Sequence, residues 1–137
     1  MAERPISQLG AMSVRETVLV LFDHGEQLYK LSQGDRAGAS DELGVDVIVH
    51  VDSAQTSCAG FAISLRNGKL ADPRGAIDVL QKIAVVENPQ VKAWLTKHAG
   101  THPMMAAWIC AVELLRLKLI EYSGLELSSA SFSQSAH

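Results

Sequence analysis

The stretch that most constrains this chain is Pro103-Met-Met-Ala-Ala-Trp-Ile-Cys-Ala-Val-Glu-Leu-Leu-Arg-Leu-Lys-Leu-Ile-Glu-Tyr-Ser123, with no proline or glycine after its first residue. It has the pattern of one long helix. Proline suits the first helical position, where its missing N–H would have no intrahelical partner, and Gly124 can adopt the left-handed conformation that ends a helix. Met105, Trp108, Val112, Leu115, Leu119 and Tyr122 are spaced 3, 4, 3, 4, 3 and form a seam, while Ile109, Leu114, Leu117 and Ile120 carry apolar surface to either side of it. Such a helix spans roughly 30 Å and needs cover on most of its circumference. The remaining segments, or a second copy of the chain across that seam, must supply it.

The chain has 137 residues, enough for one domain with a sizeable core. Glu113, Arg116, Lys118 and Glu121 interrupt the only candidate for a membrane-spanning run. The N-terminal residues lack the basic start and apolar block of a signal peptide, and Cys58 and Cys110 do not form a disulfide framework, so a cytoplasmic location is expected. Twelve Lys and Arg against fifteen Asp and Glu give a net charge of −3, with the basic residues scattered. That balance provides no electrostatic footprint for nucleic acid or a membrane surface.

The expected fold class is α+β: an N-terminal helix, an antiparallel β-hairpin or small meander, then three helices ending in the long buried one. Residues 1–12 read as a flexible leader, 13–125 as a single globular domain and 126–137 as a Ser-rich disordered tail. Ser13-Val-Arg-Glu16 has capping-box spacing, and Val14, Val18, Leu21 and Leu28 recur on one helical face, with Gly25 in the same row and Gly34 at the end. The competing reading makes Thr17–Phe22 a strand, because β-branched and aromatic residues are dense there. Residues 34–44 read as a loop. From Val45 to Val51, valine alternates with Asp46, Ile48 and His50, the pattern of a half-buried strand; a turn at 52–57 and a second strand at 59–66 would follow. Asp72-Pro73 and Asn88-Pro89 each place an N-cap before a proline, predicting helices from 73 to about 86 and from 89 to 98.

Candidate chemistry follows from that hairpin. Its polar face would gather Asp46, His50 and Asp52 opposite small residues, with Arg66 within reach of Asp46, a ligand-binding candidate. A histidine between carboxylates is a possible general base, and Cys58 near the turn a possible nucleophile, so His50, Asp52 and Cys58 are the catalytic candidates. The bland alternative is a covered or solvated face with an ordinary Asp–Arg pair. His98 and His102 have zinc-site spacing and are the metal candidates, but Gly100 and Pro103 break the helix between them, and Thr101 or His102 more simply caps the long helix. Cys110 falls in the apolar part of that helix. No cofactor is implied.

The functional expectation is a small cytosolic accessory, adaptor or regulatory protein, non-enzymatic, that acts by self-association and protein–protein binding. The seam Met105, Trp108, Val112, Leu115, Leu119 and Tyr122 is the candidate interface, with a homodimer the simplest assembly. The alternatives are a small metal-dependent or His/Asp hydrolase-type enzyme working on the hairpin face, or a small-molecule sensor.

Overall fold

The computed structural model of the chain describes the backbone of residues 6–38 and 42–135 and the side chains of residues 14–36 and 44–129. Six helices account for its regular structure: α1 (Ile6–Leu31), α2 (Gln33–Gly38), α3 (Glu42–Arg66), α4 (Pro73–Lys82), α5 (Pro89–His98) and α6 (Pro103–Ser135). There is no strand among the described residues, so the fold is all-helical and the expected α+β class is corrected.

The error lies in residues 45–66. Valine at 45, 47, 49 and 51 satisfies a period of two and a period of 3.6 at once, because Val47 and Val51 are also one helical turn apart. The core selects the second. Val47, Val51, Ala54, Cys58, Ala62 and Leu65 form one buried row along α3, while Val45 and Val49 are 52% and 59% exposed. That row passes straight through the expected turn at 52–57. The polar residues there are accommodated within the helix: the Ser53 hydroxyl donates to the Val49 carbonyl at 3.0 Å and Thr56 to Asp52 at 2.9 Å, the back-bonding available to Ser and Thr in a helix. Asn67-Gly68, a dipeptide suited to a tight turn, closes the C-terminus of α3, where Gly68 N–H donates to the Leu65 carbonyl. The Arg15 guanidinium from α1 also donates to that carbonyl, at 2.9 Å, placing a cation where the helix dipole is negative.

Local punctuation works as expected at two other helices. Asp72 accepts from Gly75 N–H at 3.0 Å and starts α4; Asn88 accepts from Gln90 N–H at 2.9 Å and Val91 N–H at 3.3 Å and starts α5. A methyl group at position 75 would run into the Asp72 carboxylate, so the glycine belongs to the cap. Other boundaries lie elsewhere. α1 begins at Ile6, two turns before the Ser13 capping box, and its helical conformation covers residues 17–22; α2 occupies part of the expected loop; α4 stops at Lys82; α6 continues through Gly124 to Ser135.

α6 is the axis of the molecule and touches each of the other five helices, most extensively α1 and then α4. Two buried clusters lie along it. One gathers Leu28, Val47, Val51, Trp94, Met105, Trp108 and Val112; the other gathers Val14, Val18, Phe22, Cys58, Leu65, Leu80, Leu115, Leu119 and Tyr122. Between these levels sit the buried charges Glu113 and Arg116. Their ion pair closes at 2.6 Å; the second Glu113 oxygen accepts from Val86 N–H at 2.7 Å, and Arg116 donates to the Leu80 carbonyl at 3.0 Å. Both charges are therefore paired and also hold the α4–α5 connection, the condition under which a buried pair is tolerated. No helix among the described residues is long and apolar enough to cross a membrane.

Candidate functional site

The helical course of α3 disperses the residues expected on one hairpin face. Asp46 is exposed. His50, one turn on, is half-buried, and its Nε2 lies 2.8 Å from the Ala84 carbonyl. A carbonyl only accepts, so Nε2 carries the proton and the imidazole ties α3 to the segment after α4. Asp52 points elsewhere and pairs with Arg36 of α2 at 3.1 Å. Arg66 is twenty residues from Asp46 along the same helix, roughly 30 Å away, and pairs instead with Asp23 of α1 at 2.7 Å. Asp46, His50, Asp52 and Arg66 therefore form no common site.

Cys58 is fully buried, and burial pushes its thiol up to about 12; Glu113 adds to the shift and Arg116 opposes it. The thiolate needed for nucleophilic attack is thus scarce near neutral pH. Cys110, expected in the apolar interior, is exposed. His98 and His102 lie with ring centroids 5.5 Å apart and nearly perpendicular, both packed on Trp94 at 5.4 and 5.9 Å. Among the described residues no three His, Cys, Asp or Glu side chains are grouped to hold a metal ion. The His102 ring bonds the Thr101 hydroxyl at 2.9 Å, and neither side chain caps α6. That role falls to Asp35 of α2, whose carboxylate accepts from Met104 N–H at 2.8 Å and Met105 N–H at 3.1 Å. Beside it, the Arg36 guanidinium lies 4.4 Å from the Tyr29 ring centroid and 4.1 Å from that of Trp108 while pairing with Asp52. Sequence alone offered no signal for either role, since Asp35 acts across 69 residues.

Every residue of the seam Met105, Trp108, Val112, Leu115, Leu119 and Tyr122 is buried among the chain's own helices. A second copy on that face would have to displace them. The opposite face of α6 presents a different row: Ala107, Cys110, Leu114, Leu117, Glu121 and Gly124, spaced 3, 4, 3, 4, 3, with Leu125 beside its end. Leu114 and Leu117 at its centre are 50% and 48% exposed, and its one charge, Glu121, is paired with Lys118 at 2.9 Å. This outward row has the spacing of a helix-packing seam. Its leucines were visible in the sequence, but not which apolar face would remain outside.

No family model, curated protein or solved structure matches this chain.

Proposed function

We propose that this chain is a non-enzymatic cytosolic accessory, adaptor or regulatory protein that acts by self-association and protein–protein binding, using the outward row of α6. The observation that supports the reading is the exposure of Leu114 and Leu117 at consecutive heptad positions on a helix whose opposite face is fully packed. A helix apolar on both sides is suited to cover on both. Two copies related by a two-fold axis supply that cover with one surface. Antiparallel pairing about a point between residues 114 and 117 sets Leu114 against the partner's Leu117 and Ala107 against the partner's Gly124, where small residues allow close approach. Parallel pairing stacks the two Glu121 carboxylates and is disfavoured.

The test is the solution mass by light scattering across a range of protein concentrations, with the rate of Cys110 alkylation followed in parallel. A mass of twice 14.7 kDa, slowed alkylation as the dimer forms, and a monomeric but equally helical Leu117→Asp variant are expected. A monomer at every concentration, or an unchanged mass in a folded Leu117→Asp, refutes the reading.

A further inference from the structure

A cleft of about 300 Å³ lies between α1 and α3, lined by Glu26, Tyr29, Asp52, Gln55, Thr56 and Ala59. Its volume is at the small end of ligand sites. Gln55 is 9% exposed, and its orientation is fixed from behind. The Trp108 indole N–H donates to its side chain at 2.9 Å; an indole nitrogen cannot accept, so the group it meets is the carbonyl oxygen and the NH₂ is turned the other way. No acceptor for that NH₂ appears among the described residues, and Gln55 is one of the residues that line the cleft.

The charges define what the cleft accepts. Asp52 is neutralised by Arg36, whereas Glu26 has no ion pair among the described residues, which leaves one uncompensated negative charge at the cleft. Thr56 donates its hydroxyl proton to the Asp52 carbonyl and retains acceptor lone pairs. Ala59 and the Tyr29 ring supply apolar wall. A complementary molecule carries one positive charge with N–H donors for Glu26 and an oxygen that accepts from the Gln55 NH₂.

We propose that this cleft is a binding site for a small primary ammonium bearing a neutral oxygen acceptor, such as a short amino alcohol, gripped between the Glu26 carboxylate and the Gln55 carboxamide. None of its lining residues belongs to the outward row of α6, so the proposal stands or falls apart from self-association.

The site has a built-in reporter, because the Trp108 indole N–H is bonded to the side chain that contacts the ligand. In ¹H–¹⁵N spectra of the full chain, titration with ethanolamine is expected to move the Trp108 indole signal saturably while the Trp94 indole stays in place. Ethylene glycol, of similar size without the charge, is expected to move neither. Glu26→Gln, at a half-buried position, should weaken ethanolamine binding at least about tenfold, the factor that corresponds to about 1.4 kcal/mol; Asp46→Asn, on the same helix as Gln55 but outside the cleft, should leave it unchanged. The proposal is overturned by an absent or non-saturating Trp108 shift, by equal movement of both indoles, by an equal response to ethylene glycol, or by full binding in Glu26→Gln.

Discussion

The two faces of α6 have similar sidechains and opposite surroundings. Trp108, Leu115 and Leu119 on the inner face are buried among the other helices, while Leu114 and Leu117, on neighbouring positions of the same helix, are about half in solvent. Composition does not separate them; position around the helix does. The inner face packs against the other helices and becomes core, while the middle of the outer face, at Leu114 and Leu117, stays about half in solvent and becomes a surface. Apolar periodicity thus locates a helix that needs cover without naming the side that is covered from within.

The sharpest way to break this comparison is to truncate one residue on each face. Trp108→Ala should lower stability by about 3–5 kcal/mol, since it empties a packed site and removes the partner of the Gln55 carbonyl. Leu114→Ala should stay within about 0.5 kcal/mol under conditions where the chain is monomeric. Urea denaturation measures both, and equal losses would erase the distinction between the faces.

Next in size is the polar level between the two inner clusters. Glu113→Ala leaves the Arg116 guanidinium buried without its carboxylate and should cost about 3 kcal/mol. A double Glu113→Leu, Arg116→Met variant should recover much of that loss, because removing both charges strands neither. If the double variant is no better than the single, the pair is worth more than its own desolvation.

The inner face should also show itself as a slope against pH. Burial raises the Cys58 thiol from 9.0 to about 12, and burial followed by the hydrogen bond to Glu126 raises the Tyr122 hydroxyl from 10.0 to about 12. For each, the unfolded chain loses its proton first. The stability they contribute is complete below pH 9 and is lost as pH rises towards 12. Denaturation midpoints between pH 8 and 11 should therefore fall, and Cys58→Ala should flatten the early part of the fall; an unaltered slope in that variant would mean that the thiol is not the group titrating.

The smallest expected effect is at the helix end. Asp35→Ala removes the carboxylate that receives two α6 N–H groups and should cost about 1 kcal/mol, read as a lowered Tm. A loss matching that of Trp108→Ala would mean that α2 does more than cap.

Much of the helical punctuation was legible because it is local. Asp72-Pro73 and Asn88-Pro89 set the starts of α4 and α5 with side chains that reach only to the next turn, and Pro103 set the start of α6. The row Val47, Val51, Ala54, Cys58 was also in the sequence, but the alternating valines and polar Asp52–Ser57 segment suggested a hairpin, and with it a His50 site that the helix disperses. The end of α6 was misplaced because glycine permits a left-handed turn without requiring one: no described glycine has positive φ, and the helix continues through Gly124.

The sequence by itself determined where three helices begin and that the C-terminal one carries apolar residues around most of its circumference, because caps and periodicity act over one or two turns. Only the tertiary structure decided that residues 45–66 are helical, that Asp35 caps α6, that Arg36 joins Tyr29, Trp108 and Asp52, and that Leu114 and Leu117 face outward. Each of these depends on a partner far away in the chain, and the free energy that selects it comes from burial against that partner rather than from local preference.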